Sequence, residues 1–147
     1  MTRISVMMPD VPALRPIAEV ISPERHHHFS SAELESAIRY IRIGDAASPQ
    51  LIEIVYLPDT HIDVHAHEED EIIYVLRGQI LLGRRPLGPG GSVFVQQNTL
   101  YAFRAGPEGA AILIFRPRGG STYISAEEFR DTATQRRNRD AASESQP

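Results

Sequence analysis

From residue 38 to residue 125, short β-prone runs are cut every few residues by glycine- and proline-rich breaks. The runs are Ile38–Ile43, Leu51–Leu57, His61–His67, Glu71–Arg77, Gln79–Gly83, Ser92–Gln96, Leu100–Arg104, Ala110–Arg116 and Thr122–Ile124. The breaks include Pro58-Asp59, Leu87-Gly88-Pro89-Gly90-Gly91 and Gly106-Pro107-Glu108-Gly109, the last reading as a hairpin turn. Strands this short and this frequent predict an all-β sandwich or barrel. Two helices frame it. Ser30 with Glu33 is a capping box opening a helix over Ser31–Ala37. Ser125 with Glu128 opens another to about Ala133.

The first 24 residues hold four prolines and read as an extended arm, with Ile17–Ile21 as an edge strand. The tail from Thr134 to Pro147 is polar and is expected to be disordered. The organisation expected is an arm with a short helix (1–37), a barrel (38–125), and a short helix with a tail (126–147). A chain of 147 residues fits one core. The net charge of −4, without a basic patch, argues against nucleic acid as a partner. There is no Cys, which removes disulfides and thiolate sites. There is no Lys either, so all 15 basic residues are Arg and Schiff-base chemistry is excluded. No apolar run approaches the ~20 residues of a membrane helix. Residues 1–10 lack the pattern of a secretory signal, so the expected location is the cytoplasm.

The chemistry is concentrated in His65-Ala66-His67-Glu68-Glu69-Asp70-Glu71. On a strand His65 and His67 point the same way, about 7 Å apart. The acidic run is a turn, and Glu71 opens the next apolar strand. A hairpin folds Glu71 back beside the two imidazoles. Two neutral nitrogens and a carboxylate on one wall make a divalent metal site with open positions. His61 and Asp63 share strand parity with the pair if no bulge intervenes, and then form a supporting pair that orients an imidazole. Glu68, Glu69 and Asp70 read as solvated turn residues. His26, His27 and His28 read as an exposed loop without a ligand role.

At these residues the chain resembles the cupin superfamily, whose fold is a small jelly-roll β-barrel. The first cupin motif is matched by His65, His67, Glu71 and Gly78, with Asp59 where the family has its leading Gly. The second is matched in altered form from Gly83 through Pro89-Gly90-Gly91 to Asn98. There Tyr101 stands at the usual His position and Ala105 at the usual Asn. The resemblance spans roughly residues 38–117.

The resemblance implies a metal held by His65, His67, Glu71 and the Tyr101 position, with Glu71 and Tyr101 as candidate catalytic groups. All six histidines lie at or before His67, so no downstream imidazole completes the set. Tyr101 then has three readings: a phenolate ligand, an acid/base group beside the metal, or the mark of a site that has lost its metal. Fe would suit dioxygenase chemistry; Zn, Mn or Ni would act as a Lewis acid for a lyase or isomerase. A non-catalytic small-molecule sensor is the alternative. The expected pocket lining is Ile73, Val75, Phe94, Phe103 and Phe115, with Leu113 beside them. Arg42, Arg77, Arg104 and Arg116, taken singly, read as surface residues, any one of which could meet a substrate carboxylate; Gln79, Gln96 and Gln97 stay open. The resemblance also implies a homodimer in which residues 1–24 or the edge strand Ile38–Ile43 lie against the partner's sheet.

Overall fold

A computed structural model describes residues 3–9, 12–120 and 123–145. In chain order the elements are β1 (Arg15–Pro16), α1 (Ser31–Glu35), β2 (Ala37–Arg42), β3 (Gln50–Tyr56), β4 (His61–Ala66), β5 (Glu71–Leu82), β6 (Arg85–Leu87), β7 (Ser92–Val95), β8 (Tyr101–Arg116), β9 (Ile124–Ser125) and α2 (Ala126–Glu144). Short 3-10 turns cover Ile17–Glu19 and Pro23–His28. The strands form one antiparallel sheet in the order β1-β2-β3-β8-β4-β9, with β5 pairing β8, β7 and β6. The sheet curls over a core that includes Ile52, Ile62, Ile73, Val75, Ile80 and Ile112. This is the expected jelly-roll barrel with short helices at its side.

Strand β8 organises the barrel. Its last seven residues pair with β3, from Gln50↔Arg116 to Tyr56↔Ala110. The same stretch pairs with β5 on its other edge, from Ile72↔Phe115 to Gly78↔Ala110. Its first residues pair with β4 instead, at His65↔Tyr101 and His61↔Arg104. The expected hairpin at Gly106–Gly109 is therefore a corner inside one 16-residue strand. Glycine in a strand marks such corners as well as turns. The ladder to β5 slips here, between Gly78 and Ile80. Gly78 (φ 67°) and Gly109 (φ 81°) both lie in the left-handed region. A Cβ on Gly78 would collide with the Gly109 carbonyl oxygen, so only two glycines let the strands close this corner.

Pairing decides which aromatics face inward. Glu71, Ile73 and Val75 point in, while Ile72 and Tyr74 point out. Phe94 and Phe115 both pair with Ile72 across their ladders. They share its outward face and are 64% and 41% exposed. They are not pocket residues, contrary to the sequence expectation, because their registers are fixed by partners one residue off the inward set. Ile73 and Val75 are fully buried in the core but do not border the cavity described below.

The ends of the chain differ from expectation in two further respects. Ile17–Ile21 is not a strand; only Arg15–Pro16 pairs with β2, and Ile17–Glu19 turns away. The arm before it follows β2 through Arg39 to the Pro9 carbonyl (3.0 Å) and Arg42 to Ser5 (2.6 and 2.8 Å). The tail does not stop being regular at Thr134: α2 runs on to Glu144. Ser125 caps it by accepting from the Glu128 amide. Between 126 and 144 there is no Gly or Pro, and Ala, Arg, Gln and Glu favour helix without any buried face. No helix among the described residues is long and apolar enough to cross a membrane.

The corner gives a test by urea denaturation. Gly78→Ala is expected to lose at least ~3 kcal/mol of stability, from left-handed strain plus a backbone clash. Gly83→Ala has the same φ sign but open space around it, and should lose only ~1 kcal/mol. Equal losses would show that the close approach is unimportant.

Candidate functional site

The two ends of β8 meet at Glu71. Glu71 opens β5 and is 1% exposed. Tyr101, the first residue of β8, donates its hydroxyl proton to Glu71 Oε1 in a short hydrogen bond. Arg116, the last residue of β8, reaches Glu71 Oε2 with both Nε (3.0 Å) and Nη2 (2.9 Å). Both carboxylate oxygens are thus occupied. The turn before Glu71 is held by the Gln97 amide donating to Asp70 Oδ1 (2.9 Å) and the Asn98 amide donating to the His67 carbonyl (2.7 Å).

A bulge sets the histidines. The β4–β8 ladder slips between Ile62 and His65, so Asp63 and Val64 are both exposed and His65 turns inward. His61 and Asp63 are consequently outside the site. They pair with each other at 3.3 Å, with side chains 62% and 55% exposed. The expected supporting role fails because the bulge breaks the parity it assumed. What orients His65 is the backbone of Asp63, whose carbonyl lies 2.7 Å from Nδ1. That fixes the proton on Nδ1 and leaves Nε2 bare, 3.1 Å from the Tyr101 oxygen. Tyr123 stacks on the His65 ring at 5.0 Å. His67 Nε2 lies 3.3 Å from Arg116 Nη2 and 3.8 Å from Glu71 Oε2.

His65, His67, Tyr101, Arg116 and Tyr123 border a cavity of about 450 Å³. Its apolar wall includes Ile38, Ile52, Ile54 and Phe103; its polar groups include His65, His67, Tyr101, Arg116, Tyr123 and Glu33. Of the expected lining residues only Phe103 is there. Burial keeps the His65 imidazole from protonating readily, against the Asp63 carbonyl and the Glu71 charge. Burial, then the adjacent Glu71 carboxylate, holds the Tyr101 phenol protonated far above its usual range.

Glu33 was legible only as half of a capping box. Ser30 does cap α1, accepting from the Glu33 amide at 3.1 Å. The Glu33 side chain, however, is buried against the cavity. Burial and the Asp63 charge push its pKa up to about 8, against the Ser30 amide that faces it. Arg116 is explained by its ladder partners and not by the sequence, which is equally apolar on the opposite face at Leu113 and Phe115. It shares strand parity with the inward Ile112 and Ile114, and a charged residue on an inward face needs a buried partner. Tyr123 carried no signal in the sequence. Glu69 is buried rather than solvated, tied to Arg118 at 3.3 Å, with Oε2 lacking a partner. His26 bridges the carbonyls of Ala18 and Ile21, which gives that run a structural role. Arg42 is spent on the arm, so of the four arginines considered, Arg116 is the one at the cavity.

The donor types around Glu71 suit a divalent metal; their arrangement does not. Among the described residues no three His, Asp or Glu side chains are placed to hold a metal ion. His67 Nε2 and Glu71 Oε2 are 3.8 Å apart. An ion bonded to both would lie almost on the line between them. Arg116 Nη2, close to each of the two atoms, would then touch that ion, cation against cation.

The Glu33 shift has a consequence for stability. Between about pH 4.5 and 8 the folded protein keeps a proton on Glu33 that the unfolded chain loses, so stability falls as pH rises through that window. Glu33→Gln should therefore gain on the wild type across the window and hold a constant advantage above pH 8. Thermal unfolding from pH 4.5 to 9 measures this; parallel curves would show that Glu33 is not held neutral.

No protein-family profile and no curated protein sequence matches the chain. Solved structures do. The DMSP lyase DddQ of Ruegeria pomeroyi superposes with a TM-score of 0.58 at 18% identity, over 82% of this chain and 85% of that one. The polyketide cyclase RemF of Streptomyces resistomycificus gives 0.51 at 25% identity, over 63% and 71%. A Bacillus subtilis oxalate decarboxylase studied for its Mn(II) centres gives 0.52 at 16% identity, over 62% of this chain. This chain spans only 28% of the decarboxylase's length. All three have the cupin fold, and by its barrel and strand order the chain described here shares that fold.

Proposed function

We propose that this cupin takes a small, partly apolar organic molecule into its cavity and moves a proton on it, in lyase or isomerase chemistry. The observation that carries the reading is the chain Glu71–Tyr101–His65. One phenolic proton lies between a carboxylate oxygen and a bare imidazole nitrogen. The relay can accept one more proton at His65 Nε2 without leaving an unpaired charge, because Tyr101 passes the hydrogen bond on to Glu71. Glu33, neutral at pH 7, lines the same cavity from the α1 side and offers a hydrogen-bond donor to a carbonyl oxygen held there. A proton α to a carbonyl is the kind such a pair can remove. The lyase and cyclase among the structural neighbours are compatible with this reading.

A metal-assisted reaction on His65, His67, Glu71 and Tyr101, oxygenation included, is the second reading. It is favoured by the His65 tautomer, since metal-bound imidazoles also tie their other nitrogen to a carbonyl. It requires Arg116 to leave Glu71.

The test is a panel of enolisable ketones and β-substituted carboxylic acids in D₂O, followed by NMR. Deuterium incorporation or elimination is expected with the wild type. Tyr101→Phe should slow it by about a hundredfold or more while ligand binding, read by thermal shift, persists. Compounds that bind both proteins alike without exchange would replace this reading with a sensor. Oxygen uptake on a compound that shows no exchange would replace it with an oxygenase.

A further inference from the structure

We infer that Arg116 is the resident cation of this site: its guanidinium stands in for a divalent metal between Glu71 and His67, and excludes one. The inference concerns the same cluster as the proposed reaction but does not rest on turnover.

Three observations converge. The first is position. Nη2 is 2.9 Å from Glu71 Oε2 and 3.3 Å from His67 Nε2, the two atoms an ion would have to share. The second is saturation. Glu71 accepts twice from Arg116 on one oxygen and once from Tyr101 on the other, so the carboxylate is already engaged on both sides. The third is charge. Arg116 and Glu71, 11% and 1% exposed, neutralise each other as an ion pair. A divalent ion added beside the guanidinium would leave two surplus positive charges next to a largely buried ion pair, which is strongly unfavourable. The sequence departs from the metal-binding pattern in a consistent way. Tyr101 contributes a donated proton where a lone pair is needed, and the arginine brings the charge that a metal would otherwise supply.

Metal binding tests this directly. Wild-type protein expressed with added Mn(II), Zn(II) or Ni(II) is expected to carry no stoichiometric metal by mass spectrometry. Titration with each ion should give no saturable binding and no rise in melting temperature. Arg116→Met leaves Glu71 unpaired. In EDTA it should melt below the wild type. The same ions should then bind at least about a hundredfold more tightly than to the wild type and restore the melting temperature, because the repulsion is gone. The double variant Glu71→Gln, Arg116→Met should fold without metal and lose the gain. If Arg116→Met is recovered only from metal-supplemented medium, one ion per chain supports the inference. A wild type holding about one ion per chain through dialysis overturns it. So does an Arg116→Met protein that binds no better than the wild type, or that stays unfolded with every ion. None of these outcomes bears on the deuterium-exchange test above.

Discussion

A buried carboxylate without a partner is costly, and Glu71 is buried almost completely. Its ion pair with Arg116 and hydrogen bond from Tyr101 satisfy it, and both come from one strand. Removing one partner of such a pair typically costs ~3–5 kcal/mol, a large part of a small domain's stability. To bring both ends of β8 to Glu71, the strand must change partners halfway, from β4 to β3. It does so at the corner where Gly78 and Gly109 let two backbones touch. Barrel closure and site assembly are therefore one event. A fault at the corner is felt at the carboxylate.

The cavity divides its chemistry between two kinds of polar group. On the Glu71 side the charges cancel within a hydrogen-bonded cluster. On the α1 side Glu33 avoids charge by keeping its proton. Both arrangements let ionisable side chains border an apolar space without a stranded charge. The structural neighbours share the barrel at 16–25% identity yet carry different chemistries, so the scaffold alone assigns none. The local feature from which this chain's chemistry must be read is a phenol and a guanidinium around Glu71.

The first cupin motif was legible because it depends on spacing within one hairpin. His65, His67 and Glu71 come together as the strand–turn–strand pattern implies. Parity arguments over the same stretch failed at His61 and Asp63, because one bulge flips the strand and no residue type announces it. Phe94 and Phe115 misled for a related reason. Aromatics are read as inward by type, whereas the ladder partner Ile72 sets their face. Arg116 was judged as a single surface arginine, because Ala110–Arg116 is apolar on both faces and only the ladders to β3 and β5 show that Ile112, Ile114 and Arg116 face inward.

By itself the sequence determined the class of fold, the number of cores, the capped starts of both helices and the histidine–carboxylate hairpin. These are local matters: propensity, turn chemistry and spacing within some ten residues. Tertiary structure alone decided that β8 is one bent strand, that Glu33 faces the cavity, that Tyr123 covers His65, and that Arg116 occupies the place beside Glu71. Each of those depends on how distant segments pack, and for β8 and Arg116 on which strands pair and in what register. Register is settled by burial across the whole barrel, between residues as distant in sequence as 71 and 116.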